Sequence, residues 1–82
     1  MMLKVVLQYT DLQEDGRNVF KILADYGVVI LKTQSRSWSI FPRITIVVVD
    51  YPKLNDLISA LNHNCEHEVR VVKTKFIKEK TK

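Results

Sequence analysis

Three potential metal ligands, His63, Cys65 and His67, lie within five residues of one another. Imidazole and thiolate groups both bind zinc. However, their alternating spacing within one short turn matches no standard zinc motif, and the sequence places no fourth ligand beside them. We therefore expect this segment to be an ordinary polar turn, with no metal bound.

A second cluster is acidic and consists of Asp11, Glu14 and Asp15. It falls where a strand ends and a helix begins, which is a natural position for a ligand, and its carboxylates could hold Mg²⁺. The simpler hypothesis is that Asp11 or Asp15 caps the helix and that the acids suit its dipole. We favour the simpler hypothesis and predict neither a metal nor a cofactor.

Known enzyme signatures do not occur in the chain. The serines at 35 and 37 lie in no Gly-x-Ser-x-Gly motif, and there is no Cys-x-x-Cys pair. With only Gly16 and Gly27, the chain cannot build a glycine-rich phosphate loop. Trp38 is either a packing residue of a hairpin or an anchor at an interface. The sequence therefore favours a binding or regulatory module over an enzyme, and predicts no catalytic residue.

Length and composition indicate one folded domain: 82 residues, 46% of them hydrophobic. The longest apolar runs, residues 28–31 and 46–49, are far shorter than the roughly 20 residues that cross a bilayer. Residues 1–7 lack the charged start and long apolar stretch of a signal peptide. The single cysteine fits a reducing compartment. We expect a cytoplasmic protein that does not enter a membrane.

The net charge of +4 comes entirely from the end of the chain. Residues 1–72 carry eight basic and eight acidic side chains, whereas five lysines and one acid follow from Lys73 onward. A basic tail is more often solvated than bound to phosphate. We therefore expect nucleic-acid binding to be weak and to depend on this tail.

Hydrophobic periodicity predicts six elements. Apolar and polar residues alternate with period two, as in strands, near the start of the chain and again after Pro42. In two other segments, apolar residues recur at i, i+3, i+4 and i+7, as in amphipathic helices. The predicted strands are residues 3–9, 28–31, 44–49 and a last strand beginning at 69–72, and the predicted helices are 16–26 and 52–62. This order predicts an α+β, ferredoxin-like βαββαβ sandwich, with a four-stranded antiparallel sheet and two helices on one face.

The predicted domain covers residues 1–73, and residues 74–82 form a basic C-terminal tail. Apolar side chains occur on both faces of the second and third strands, although the helices cover only one face of the sheet. A second copy or a partner would cover the other face. We expect a homodimer with Val29, Leu31 and Trp38 at its interface.

Three stretches resemble the ACT domain, a ferredoxin-like regulatory module that senses amino acids. Residues 11–30 look like its first loop and helix, and end in the sequence Ile22-Leu23-Ala24-Asp25-Tyr26-Gly27-Val28-Val29-Ile30. Residues 43–49, Arg-Ile-Thr-Ile-Val-Val-Val, are similar to the third strand of the small regulatory subunit of acetolactate synthase. Residues 54–72 resemble its last helix and strand. The resemblance spans about residues 3–73.

The resemblance implies a non-catalytic regulatory subunit of acetolactate synthase or a related biosynthetic enzyme. Its partner would be the catalytic subunit, and its effector a branched-chain amino acid. The ligand-binding positions of the family fall here on Asp11, Gln13, Glu14 and Val29. Glu14 stands where the family has a glycine, and Val29 where it often has an asparagine.

A rival resemblance is to the small CRISPR-associated endonuclease of spacer acquisition, which is also ferredoxin-like and dimeric. Tyr9-Thr10-Asp11-Leu12 is similar to its Tyr-Asp-Ile motif with one residue inserted. Asp25-Tyr26-Gly27 and Gln34-Ser35 resemble its first helix end and second strand. This alternative implies a dimer that uses Asp11 and a divalent metal on nucleic acid.

Overall fold

Every second side chain of the first strand points toward the helices, so one face of the sheet packs against them. The computed structural model describes residues 2–10, 14–34 and 41–77. Its elements are β1 Met2–Gln8, α1 Asp15–Asp25, β2 Val29–Gln34, β3 Arg43–Val48, α2 Tyr51–Asn64 and β4 Arg70–Ile77. The predicted βαββαβ order and the ferredoxin-like α+β class are confirmed.

The sheet has the strand order β2-β3-β1-β4, with antiparallel pairing at each step. On β1, Leu3, Val5 and Leu7 are at most 1% exposed and form the centre of the core. Their partners on β3 are Val48, Ile46 and Ile44. The helices cover this layer with Val19, Leu23, Leu54, Leu57 and Leu61. Because side chains alternate along a strand, the residues between them lie on the uncovered face.

Helix α1 ends as the glycine predicts. Gly27 has a φ of +64°, a left-handed conformation that a side chain would strain. Its N–H donates to the carbonyl of Ala24, and the N–H of Val28 donates to that of Leu23, so the last carbonyls are satisfied. At the other helix, Asp50 caps α2 by accepting from the N–H of Lys53 at 2.8 Å.

Of the two residues proposed to cap α1, Asp15 is contradicted. Glu14 occupies the cap position without a side-chain cap hydrogen bond, and α1 begins at Asp15. Asp15 therefore does not cap its own helix, because its carboxylate binds a different segment, as described below. Asp11, the other proposed cap, lies outside the described residues.

Both outer strands are longer than the sequence pattern indicated. β2 continues to Gln34, and β4 continues to Ile77 through residues 74–77, which the sequence analysis placed in the tail. Each pairs with its neighbour across a register shift, near Leu31 in β2 and near Val72 in β4. Among the described residues, no helix is long and apolar enough to cross a membrane.

Candidate functional site at the strand-to-helix junction

The most concentrated polar chemistry lies at the carboxylate of Asp15, which is 2% exposed. Its Oδ1 accepts a hydrogen bond from the N–H of Glu66 at 3.0 Å. Its Oδ2 accepts from the N–H of His67 at 3.0 Å, and lies 2.8 Å from the Nδ1 of the same residue. The hydroxyl of Thr10 donates to Oδ2 at 3.2 Å. One side chain therefore joins three segments of the chain.

Strand register explains why these segments meet. Gln8 at the end of β1 pairs with Arg70 at the start of β4, so the residues after β1 lie beside those that precede β4. The N–H of Tyr9 donates to the carbonyl of Pro42 at 3.1 Å and fixes the end of β1 against the start of β3. The amide of Asn62 closes the α2–β4 turn by bonding both backbone groups of Val69.

These hydrogen bonds keep Asp15 ionised. Burial would raise the pKa of Asp15, but the donors from Glu66, His67 and Thr10 together hold that pKa below its ordinary value. The four hydrogen bonds are unevenly divided, because Oδ1 accepts one and Oδ2 accepts three. Since Asp15 is also only 2% exposed, we conclude that its carboxylate is poorly placed to bind a metal ion or a ligand amine.

The same geometry is unsuited to nucleophilic catalysis. A hydroxyl–histidine–carboxylate relay needs the hydroxyl to donate to the imidazole, whereas here Thr10 donates to Asp15 directly. Cys65 is no better placed. Burial and the nearby charge of Asp15 both raise the pKa of the Cys65 thiol, which favours the poorly nucleophilic protonated form.

The three potential metal ligands do not come together. His67 faces Asp15, Cys65 has its Sγ 3.9 Å from the carbonyl of Asp15, and His63 lies in the last turn of α2. Within residues 2–10, 14–34 and 41–77, no three His, Cys, Asp or Glu side chains are grouped so that they could hold a metal. The pairing of Asp15 with His67 is the feature that sequence reasoning missed.

The predicted ligand-binding residues are separated along α1. Glu14 stands exposed at its start, whereas Val29 begins β2 after its end and is 59% exposed. An eleven-residue helix is about 16 Å long, so one chain does not bring these two positions together. Asp11 and Gln13 lie outside the described residues.

The predicted interface falls on an open sheet edge. All six residues of β2 are exposed, including Leu31 at 52%, and the strand pairs only with β3 among the described strands. Its outer backbone groups are therefore available to another strand. Trp38, the third predicted interface residue, lies outside the described residues.

No protein family model matches the chain, and no curated protein matches it either. Solved structures do match. The chain is similar to an uncharacterised protein from Thermotoga maritima, with a TM-score of 0.72, 19% identity, and coverage of 94% of this chain and 96% of that one. It is also similar to the ACT domain from GTP pyrophosphokinase of Chlorobium tepidum, with a TM-score of 0.63, 14% identity, and coverage of 88% and 97%. These likenesses show an ACT-like fold.

Proposed function

We propose that this chain is a small, non-catalytic regulatory module that senses an amino acid between two copies of itself. The observation that carries the proposal is the likeness to an ACT domain, which spans 97% of that domain. The positions that match the family's ligand loop, residues 11–14, directly precede α1 in the sequence, and the backbone N–H groups at the start of a helix favour a carboxylate.

The local chemistry supports a regulatory role over a catalytic one. The carboxylate of Asp15 accepts four hydrogen bonds and holds the two ends of the β1–α1 turn against the α2–β4 turn. Fixed ends on either side of a short loop suit a binding site, because they lower the entropy cost of ordering a ligand there. Reactive groups are not assembled around that loop in the described residues.

A second copy would complete the site. Glu14 and Val29 are about one helix length apart in one chain, so a site that uses both must take them from different chains. The exposed β2 edge offers Val29, Ile30 and Leu31 for antiparallel pairing with the same strand of a partner. The proposed dimer extends one sheet into the next, and its site takes Glu14 from one copy and Val29 from the other.

The partner we propose is the catalytic subunit of an amino-acid biosynthetic enzyme, with acetolactate synthase as the example. The support is the resemblance of residues 43–49, which form the central strand β3 and its end. The proposed effector is a branched-chain amino acid. Affinity capture from the source cell tests this: recovery of such an enzyme supports the partner, and recovery of unrelated proteins contradicts it.

A thermal-shift screen with valine, leucine and isoleucine tests the site. We expect a rise in Tm with one of the L-amino acids and none with its D-enantiomer. Asp11→Ala should abolish the rise, whereas Asp56→Ala, which removes an exposed acid from α2, should leave it intact. Ultracentrifugation of Val29→Lys should show a monomer. If no amino acid raises the Tm but the unmodified protein is a dimer, amino-acid sensing is contradicted and the proposed dimer is retained.

The endonuclease alternative is not favoured. It needs a carboxylate accessible to a divalent metal, whereas the Asp15 carboxylate, in the described part of this junction, is 2% exposed and already accepts four hydrogen bonds. Its candidate residue, Asp11, lies outside the described residues. Cleavage of nucleic acid that depends on Mg²⁺ and is lost in Asp11→Ala would restore it.

A further inference from the structure

The two sides of the sheet carry opposite charge, which net charge alone conceals. The described strands contain six basic residues and no acid, whereas the described helices and connecting segments contain three basic and seven acidic residues. Strand register shows on which face of the sheet the six basic residues lie. Lys4 on β1 pairs with Lys75 on β4, Val6 pairs with Lys73, and Gln8 pairs with Arg70 and Arg43. Lys32 on β2 pairs with Thr45, the neighbour of Val6.

All six cations therefore lie on the open face, the side of the sheet that the helices do not cover. The face consists of the residues that alternate with buried Leu3, Val5 and Leu7 on β1 and their cross-strand partners. The register shifts are essential to this grouping of the cations on one face. Arg70 and Lys73 are three residues apart and would face opposite ways in a regular strand, but the extra residue Val72 returns them to one side.

Most cations on this face have no acidic partner among the described residues. All six are exposed. The ion pairs between described residues are that of His67 with Asp15 and that of Arg70 with Glu68, so five of the six have no carboxylate partner among those residues. Lys4 and Lys75 are direct cross-strand neighbours, an arrangement that destabilises a sheet unless an anion lies between them.

We propose that the open face binds the phosphate backbone of a single-stranded nucleic acid. Arg70, Lys73 and Lys75 form a column along β4, and the sequence continues into Lys78, Lys80 and Lys82. The four strands span only about 14 Å across, which suits one extended strand better than a duplex. Protein interfaces are depleted in lysine and enriched in aromatic residues, and the described open face has the opposite composition.

This mode of binding is independent of base identity. The open face presents no aromatic ring among the described residues, so the bases have no stacking platform there and the contacts are with phosphate. With about four phosphates neutralised, the affinity for a single strand should fall about 50-fold between about 50 and about 200 mM salt.

The test is fluorescence anisotropy with labelled single strands of about 12 nucleotides, as RNA and as DNA, at low salt. The face variant is Lys4→Gln/Lys73→Gln/Lys75→Gln, and the matched control is Arg17→Gln/Lys21→Gln/Lys53→Gln. Both lose three positive charges, but the control loses them from the exposed surface of the helices. Circular dichroism checks that each variant is folded.

We expect the face variant to bind at least tenfold more weakly than the control, with RNA, DNA or both, and to lose most of the salt dependence. Equal weakening in both variants would overturn the proposal, because net charge alone would explain it. So would binding that is lost only on deleting residues 78–82, tighter binding to a duplex of the same sequence, or tighter binding to polyglutamate than to either single strand.

Discussion

The two faces of the sheet are built from the same strands but follow different rules. On the helix-covered face, the side chains of the two central strands, β1 and β3, are apolar and at most a few per cent exposed, as Leu3, Val5 and Leu7 show. On the open face, charged side chains are exposed to solvent. Lys4, which lies between Leu3 and Val5 in the sequence, is one of them. The covered face therefore supplies the stability of the fold, and the open face is free to carry a recognition surface.

A pair of substitutions on β1 gives the largest expected contrast. Leu7→Ala removes a fully buried side chain and leaves a cavity, so the free energy of unfolding should fall by about 3 kcal/mol. Val6→Ala, its neighbour on the open face, should cost less than about 1 kcal/mol. Urea denaturation measures both. Similar losses at the two positions would show that the open face is packed as tightly as the covered one.

The next effect concerns Asp15, the one carboxylate that is buried among the described residues. Asp15→Asn turns an acceptor of four hydrogen bonds into a side chain that also carries an NH₂ donor, leaving backbone N–H groups of Glu66 or His67 unsatisfied. We expect a loss of about 2 kcal/mol in the free energy of unfolding. Asp56→Asn on exposed α2 is the control and should change stability by less than about 0.5 kcal/mol. Equal stability of the two variants would mean that the junction does not depend on this carboxylate.

The pH dependence of stability should follow the same group. The pKa of Asp15 is lowered on folding, so its ionised form stabilises the folded state above the unfolded pKa of about 4. This stabilisation is lost as the pH falls through the lower folded pKa. Denaturation curves from about pH 6 down to about pH 2.5 should show a decline that is smaller in Asp15→Asn. A parallel decline in the two proteins would assign the pH dependence to other carboxylates.

The smallest expected effect is a gain in stability. Lys75→Gln removes one of two facing lysines, so we expect the free energy of unfolding to rise by about 0.5 kcal/mol at low salt. Lys53→Gln on α2 lacks a facing cation in the sheet and should not be stabilised. The gain should disappear at high salt, where the repulsion is screened. A destabilised Lys75→Gln protein would show that the pair is not repulsive in its native setting.

The sequence predicted the covered face and much of the backbone. Alternation on β1, helical spacing at Val19 and Leu23, and the glycine at position 27 each depend on neighbours within a few residues, which is the range that local patterns report. The link of Asp15 to His67 spans 52 residues and appears only once β1 and β4 are paired. The topology brings these turns together, so combining the predicted fold with buried polar groups could have indicated it.

The charged face escaped prediction for a different reason. Equal numbers of acidic and basic residues in positions 1–72 give no net charge, and an alternating pattern across β4 fails at Val72 because one extra residue reverses the sides. A periodic pattern assigns faces from residue number alone, whereas strand register assigns them from which residues pair. The two assignments disagree after each bulge, because a bulge adds an unpaired residue. The spatial separation of charge is therefore a property of the paired sheet and not of any single segment.

The bulge at Val72 also bears on how far an assembly of copies can grow. An open strand edge is a template on which further strands can pair, and each bulge and each cation along it opposes that pairing. The β2 edge has one bulge and one lysine, whereas the β4 edge has one bulge and three cations. If two copies join through β2, the outer margins of the combined sheet are both β4, each interrupted at Val72 and lined by Lys73 and Lys75. Growth would then stop at eight strands, so the same irregularity that gathers the cations would protect the protein from forming fibres.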